Sequence, residues 1–480
     1  MINSLHFNLL LIVTVSTFSI CAMAQQESLS IKMDELFKEK DHTKHPGFSL
    51  SIITNGNVYF RNSYGMANLE NGTPFRESTV SDLGSVAKHI TNYAILHLIK
   101  EKKLAFSDKL STFFPTLINK SSGDITILQL MQHTSGLREI YSKLALQGGR
   151  MGHPIFQEDA LQLVEMSEGQ NFPAGSAFSY CNTGYMLLAE IIQKVSNLSY
   201  EAYLNEKIFQ PLGMTHSFVM DKQGEIFPDM ANSYSPSNKQ WTAVYDNSTA
   251  FGQGGIYMSL DDIEKWFIHL TNAGKQEEPP INSLLKKAVL TNGDTLNYAL
   301  GIENDTFVNL PFWQHTGSSA GYRTAFTWIP STNQVIILKS NYSSFDAIKT
   351  TQKVMSILFS IPLETEMPKT ASTKMTSETL PMGIQDTQSW QGDYFCKEMD
   401  VRYSFQLLNN TLHCTHPIRG QAEVKKASDG KYSALPFFTS LRPITDKKGN
   451  ITHIFMDTSD LIHLKFEKIS NLIPLHTFFP

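Results

Sequence analysis

With 480 residues the chain exceeds what one compact core usually holds, so two domains are the default expectation. Apolar content of 41%, charged content of 18% and a formal net charge of -5 are ordinary for a globular protein and show no basic excess, which argues against nucleic acid as a partner. The fifteen histidines are scattered, without HExxH or paired-cysteine spacing, so the sequence offers no metal site and calls for no cofactor.

Phe7 to Cys21 is an apolar run, followed by Ala22-Met23-Ala24 and polar Gln25-Gln26-Glu27. This reads as a secretory signal over 1–24, cleaved after Ala24, and implies a periplasmic or secreted protein. Two alternatives stay open. The amino-terminal region carries no lysine or arginine, which leaves an uncleaved anchor, and Cys21 raises lipid attachment, although Phe18-Ser19-Ile20 is bulky where small residues are needed. No later stretch is long and apolar enough to span a bilayer. Beyond the signal stand Cys181, Cys396 and Cys414, an odd number that permits at most one internal bridge. Cys396 and Cys414, in what read as neighbouring strands, are the expected pair in an oxidising compartment, leaving Cys181 as a free thiol.

Gly47 to Thr54, Asn55-Gly56-Asn57, and Val58 to Gly65 predict a strand, a tight turn and a strand. From Val86 to Ile99, apolar Ala87, Ile90, Ala94, Ile95, Leu98 and Ile99 recur at helical spacing, predicting a buried helix with Ser85 as the cap at its start. Residues from about 107 to 286 are helical in flavour with many breakers, and include amphipathic segments at 126–133 and 183–195. A second hairpin is predicted over Tyr322–Pro330 and Gln334–Lys339, then a closing helix from Ala347 to Phe359. The order strands, helices, strands, helix predicts one antiparallel sheet shared by the two ends around a helical insertion. The Thr-, Ser-, Glu- and Pro-rich stretch from Glu364 to Pro381 marks a linker, placed at 363–388. From 389 to 480, short alternating runs separated by Asn409-Asn410, Asp429-Gly430 and Lys447-Lys-Gly-Asn450 read as a small antiparallel barrel or sandwich.

Three short motifs carry chemistry. In Ser85-Val-Ala-Lys88 a serine opens the helix and a lysine follows one turn later on the same face, where an amine can take the hydroxyl proton. The bland alternative is a capping serine and a solvated lysine. Tyr180-Cys-Asn182 places a phenol and an amide two residues apart on a loop at a helix start. His315-Thr-Gly317 precedes the late hairpin, and its glycine lets a strand edge approach a ligand closely.

In this order and context the three motifs resemble the serine β-lactamase and penicillin-binding-protein superfamily, in particular its class C β-lactamase and D-alanyl-D-alanine carboxypeptidase and esterase branch. The resemblance covers roughly Leu29 to Pro362 and is supported by Gln132-His-Thr-Ser-Gly-Leu137, Phe209-Gln-Pro-Leu-Gly-Met214, Gly252-Gln-Gly-Gly255 and the Pro46-Gly47 hairpin. It implies an α+β fold in which an antiparallel sheet is flanked by helices and carries a helical subdomain, here as a serine hydrolase domain over 29–362. The small all-β, barrel-like module follows at 389–480.

The resemblance also implies roles. Ser85 attacks a carbonyl carbon, and Lys88 and Tyr180 are both candidate bases. Tyr180 protonates the leaving group and later activates water against the acyl-enzyme. The backbone N–H groups of Ser85 and Ser318 form an oxyanion hole, worth on the order of 3 kcal/mol per donor. Asn182 bonds the substrate amide and holds Lys88, while His315, Thr316 and Gly317 line the substrate. His133 and Cys181 read as structural. One departure bears on substrate: most β-lactamases begin the third motif with lysine, a fixed cation, and here the position is His315, mostly neutral at pH 7. Arg323 is the candidate replacement for that charge, with an ordinary structural arginine as the alternative.

The expectation is an exported serine hydrolase acting on a small peptide ending in D-amino acids, or on an ester. Its rivals are β-lactamase activity and a non-catalytic penicillin-binding sensor of the same fold. The sequence is silent on the role of the carboxy-terminal module and on oligomeric state.

Overall fold

A computed structural model of the chain describes residues 27–40, 43–118, 120–149, 153–272, 280–362, 379–380, 384–428 and 430–469. The expected signal over 1–24 and most of the expected linker lie outside the described residues. The chain divides into two compact units: 1–103 with 192–288 and 295–365, and 104–191 with 289–294 and 366–480.

In the first unit the Asn55-Gly56 turn forms as the sequence predicts, joining β1 (Phe48–Thr54) to β2 (Asn57–Tyr64). Both turn residues have left-handed φ, 50° and 74°, and Thr54 faces Asn57, the register of a two-residue primed turn. Four later strands complete the sheet: β3 (Glu303–Phe307), β4 (Leu310–Ser319), β5 (Tyr322–Ile329) and β6 (Gln334–Ser340). The spatial order is β3-β4-β5-β6-β1-β2, all antiparallel, with Phe48 opposite Ser340 and Thr54 opposite Gln334. The opening and closing segments therefore meet in one sheet, as the element order implied.

Strand β1 lies inside the sheet, between β6 and β2, and is buried at all but its last position; Phe48, Leu50 and Ile52 alternate with Ser49 and Ser51, which are buried as well. On one face Phe48, Leu50, Ile52, Ile336 and Leu338 pack with Met33 and Phe37 of the helix over 27–37 and with Val354 and Met355 of the closing helix, Ala347–Phe359. On the other face Phe326 of β5 meets His89 of α1 (Ala87–Lys100), ring centroids 5.0 Å apart. It also meets Phe267 of α2 (Leu260–Thr271), at 4.6 Å.

The second unit joins the helices of 104–191 to the carboxy-terminal strands, whereas the sequence groups those helices with the hydrolase domain. Side-chain bonds account for the pairing: Tyr403 donates its hydroxyl to Leu146 O at 3.0 Å, and Gln147 Nε2 donates to Met399 O at 3.0 Å. A helix, Ile384–Trp390, begins inside the stretch expected to be linker.

The carboxy-terminal strands are β7 (Gly392–Cys396), β8 (Val401–Leu408), β9 (Thr411–His416), β10 (Gly420–Glu423) and β11 (Lys425–Ala427). They continue as β12 (Tyr432–Ala434), β13 (Phe438–Thr445), β14 (Ile451–Asp457) and β15 (Leu464–Ile469). Their order is β11-β12-β13-β14-β15-β7-β8-β9-β10, with Thr379–Leu380 added outside β11. Strands β10 and β11 sit at opposite ends of that order, yet only Val424 separates them in the chain. The sheet must curl until its ends nearly meet, which makes a barrel rather than a sandwich. Tyr394, Tyr403, Phe405, Phe438, Ile454, Met456 and Phe466 fill it.

The expected Cys396–Cys414 bridge is absent, and Cys181, Cys396 and Cys414 are all free and buried. Strand β8 runs between β7 and β9, with Cys396 opposite Val401 and Cys414 opposite Phe405. Two inter-strand spacings, about 10 Å, and a four-residue offset separate the sulfurs, beyond disulfide reach.

Candidate active site

Ser85 does not cap the helix as expected. It lies within a 3-10 turn, Gly84–Val86, that precedes α1; Leu83 caps the turn and Val86 stands at the cap position of α1, neither with a side-chain capping bond. The Ser85 hydroxyl is thereby left for another partner: Lys88 Nζ donates to Ser85 Oγ at 3.0 Å. The turn is set from beneath by Asp82, whose Oδ1 accepts the Gly84 N–H at 2.9 Å. Burial pushes the Asp82 carboxyl up to about 6, against the hydrogen bond of Ser319 and the backbone donors Gly84 and Gly255, while Asp246 adds to the rise.

Two glycines bring β4 against this turn. Gly84 has φ +52°, and a Cβ there would lie 2.5 Å from Ser318 N; a Cβ on Gly317 would lie 1.9 Å from Leu83 O and 3.2 Å from Ser85 N. Only glycine permits that approach, and it sets the backbone of Ser318 beside that of Ser85. Strand β3 stops opposite Gln314, so His315 to Ser319 pair with β5 alone. On their other side the described strands leave an edge where an extended ligand can add its own hydrogen bonds.

Lys88 is fully buried, and its Nζ also donates to Gln253 O at 2.7 Å. Gln253 belongs to Gly252-Gln-Gly-Gly255, whose Gly252 carbonyl accepts from Thr91 Oγ1 at 2.7 Å, so the stretch is fastened to α1 at two points. His315 is buried, with Nδ1 2.7 Å from Thr316 O and Nε2 3.5 Å from the Tyr298 hydroxyl. Burial, then the charge of Lys88, pushes it down to about 3. It is neutral at pH 7, and the third motif presents no fixed cation. Thr316 is half-buried opposite Ala325. Arg323 Nη1 donates to Ala320 O at 3.1 Å and to Tyr322 O at 2.6 Å, so this nitrogen serves its own hairpin. His89 sits between Val86 O, 2.5 Å from Nδ1, and Trp266, whose Nε1–H donates to Nε2 at 2.7 Å. A second ring proton would face another donor, and burial already pushes His89 down to about 3.

Tyr180, Cys181 and Asn182 belong to the second unit. His133, at φ +58°, accepts the Cys181 N–H on Nδ1 at 2.9 Å and the Ser179 N–H on its carbonyl at 3.0 Å. It therefore grips both sides of Tyr180, and its ring lies 4.2 Å from the phenol ring, tilted 34° to it. Asn182 opens the helix Asn182–Ser196, and Glu139 caps it: Oε2 accepts the Asn182 N–H at 2.6 Å and Oε1 accepts Nδ2 at 2.9 Å. Cys181 Sγ lies 3.8 Å from Leu137 O and from Arg138 O, and burial pushes its thiol far above the ordinary range, which makes it inert packing.

The structure thus gathers Ser85, Lys88, His315, Gly317 and Ser318 in one unit and Tyr180 and Asn182 in the other. Sequence reasoning missed Gln253 as the anchor of Lys88 and Glu139 as the anchor of Asn182. Both stand in or beside stretches that carried the resemblance, but a carbonyl contact and a carboxylate forty-three residues away leave no local pattern. Among the described residues no group of three or more His, Cys, Asp or Glu is placed to hold a metal ion.

The beta-lactamase family model matches residues 33–358. A D-aminopeptidase of Gluconobacter oxydans is 23% identical over 322 residues, covering 67% of this chain and 60% of that protein. This chain therefore spans less than two thirds of that relative's length. The octameric penicillin-binding protein homologue from Pyrococcus abyssi shares the fold at a TM-score of 0.61 and 21% identity, over 92% of this chain and 99% of that one. A D-stereospecific amidohydrolase from Streptomyces sp. does so at 0.54 and 19%, over 65% and 94%. The chain belongs to the beta-lactamase family.

Proposed function

We propose that the protein is a serine hydrolase that forms an acyl-enzyme on Ser85 and cleaves an amide bond beside a D-amino acid. The observation that carries this reading is the buried Lys88 amine, 3.0 Å from Ser85 Oγ and steadied by Gln253 O at 2.7 Å. A hydroxyl with a nitrogen base at hydrogen-bond distance is an activated nucleophile.

Ser85 Oγ attacks the carbonyl carbon while its proton passes to Lys88 or Tyr180. The oxyanion is held by the N–H groups of Ser85 and Ser318. The amine leaves with a proton from Tyr180, and water, deprotonated by Tyr180, then releases the acid. Asn182 holds the substrate amide, and the His315–Ser319 edge aligns its backbone.

The D-amino-acid preference is supported by the names of relatives, a D-aminopeptidase and a D-stereospecific amidohydrolase. The neutral His315 argues against a substrate held by a carboxylate at that position, and so against strong penicillin hydrolysis. Export by a signal cleaved after Ala24 belongs to the same proposal, and amino-terminal sequencing of the mature protein checks it. The test of function is a hydrolysis panel of D-alanine p-nitroanilide, a D-Ala-D-Ala peptide, a short nitrophenyl ester and nitrocefin, with Ser85→Ala as control. Turnover of the D-amide or D-peptide above the ester and nitrocefin is expected; none above the control would contradict the reading.

A further inference from the structure

The mechanism leaves unused a charged network in the second unit. Arg138 and Glu398 are 3% and 5% exposed and form a two-point fork: Nε donates to Oε2 at 3.3 Å and Nη2 to Oε1 at 3.2 Å. Nη1 donates to Asn171 Oδ1 at 2.6 Å and to Ile462 O at 2.5 Å. Asn171 is tied to the same region, since its Nδ2 donates to Asp460 O at 2.8 Å and its Oδ1 accepts the Ile462 N–H at 3.1 Å. Glu398 lies in the β7–β8 loop, and Asp460 and Ile462 lie in the β14–β15 loop. Two loops of the barrel thus converge on one guanidinium.

From Arg138 the connection runs to the Tyr180 motif through backbone and one neighbour. Arg138 O accepts from Thr183 Oγ1 at 2.8 Å, and the Cys181 sulfur lies against the carbonyls of Leu137 and Arg138. Glu139, the next residue, holds both nitrogens of Asn182.

A buried ion pair is a poor way to gain stability, because apolar side chains of similar volume often do as well; what a fork supplies is fixed orientation. Packing does not hold this arginine alone. A cavity of about 630 Å³ flanks it, lined among others by Lys120, Leu137, Glu168 and Lys397, and once Glu398 is removed the bonds of Nη1 to Asn171 and Ile462 are what hold the side chain back from it.

We propose that the carboxy-terminal barrel is a positioning element for the Tyr180–Asn182 loop, acting through Glu398 on Arg138 and through the adjoining Glu139 on Asn182. The catalytic consequence rests on the function proposed above; the positioning itself does not.

Two readouts on the full chain separate these. Cys181, inside the loop, reports its closure by reaction with 5,5′-dithiobis(2-nitrobenzoate), mapped by peptide mass against Cys414 in the barrel. In Glu398→Ala, labelling of Cys181 is expected to rise about tenfold with Cys414 still protected, and kcat on the D-amide to fall about tenfold with a smaller change in KM. Glu398→Ala, which leaves the Arg138 charge buried without its carboxylate, is also expected to lower the thermal midpoint, and the double variant Arg138→Met with Glu398→Met to regain that midpoint but neither kcat nor protection of Cys181. A purely structural pair would regain all three. The proposal is overturned if Cys181 stays as protected in Glu398→Ala as in the wild type, if Cys414 becomes reactive in step with it, or if the double variant restores protection. A wild type inactive on every substrate defeats the function and leaves the thiol result to decide the positioning.

Discussion

The Ser85 turn and the Tyr180–Asn182 loop are held by different means. Around Ser85 the constraint is backbone: Gly84 and Gly317 let a strand and a 3-10 turn approach to within one Cβ of collision, and Asp82 fastens the turn by a single N–H. Around Tyr180 the constraint is side chain: the His133 ring, the Glu139 carboxylate and the Arg138–Glu398 fork. An oxyanion hole needs backbone donors fixed relative to each other, which glycine contacts provide. A phenol and an amide on a loop need only their ends held, which long-range polar groups can do.

If that contrast is right, a methyl group should damage the first region more than loss of a charge damages the second. Gly317→Ala places a Cβ 1.9 Å from Leu83 O, so β4 must retreat from the turn. Steady-state kinetics on the D-amide should show kcat lower by about 10²- to 10³-fold, the scale of a lost oxyanion donor, with the protein still folded by circular dichroism. A variant of near wild-type kcat would break the backbone half of the comparison.

Glu139→Gln keeps the shape but exchanges one acceptor oxygen for a donor, so one of the two bonds from Asn182 is lost. About tenfold in kcat and about 1–2 kcal/mol in urea-unfolding free energy should be lost. If the loss equals that of Gly317→Ala, the loop is as tightly determined as the turn.

Much of the fold is legible because its signals are local. Asn55-Gly56 marks its hairpin by left-handed residues, and helical spacing marks Val86 to Ile99 and Ala347 to Phe359. The three motifs were equally readable, since each packs its chemistry into three or four residues. The misreadings share one cause, dependence on partners remote in sequence. Ser85 looked like a cap because nothing in the chain announces that Asp82 will hold Gly84 in a 3-10 turn. Cys396 and Cys414 looked paired because the offset imposed by β8 is a matter of register. Arg138 and Glu398 stand 260 residues apart and could not be paired by any periodicity.

A smaller effect concerns acid. His89 and His315, each held down to about 3 against an ordinary 6.5, bind protons more readily when unfolded, so the stability they contribute above pH 6.5 is lost as pH falls toward 3. Asp82 works in the opposite sense: raised from 3.8 to about 6, it contributes stability below pH 3.8 that is lost as pH rises through 6. Two histidines outweigh one carboxyl, so the thermal midpoint of the first unit should drop by several degrees between pH 6.5 and 4.5. A His89→Gln variant should flatten that slope; an unchanged slope would remove His89 from the account. The smallest expected effect is none: with all three described cysteines free, a reductant should leave the melting curve unchanged, and a lowered midpoint would reinstate a bridge.

In the proposed reaction Ser85 carries the acyl group. Intact-protein and peptide mass spectrometry after incubation with a fluorophosphonate should show one phosphonyl adduct on the Ser85 peptide in the wild type and none in Ser85→Ala. An adduct that persists in Ser85→Ala, or a wild type that turns over the D-amide while Ser85 stays unmodified, would contradict it.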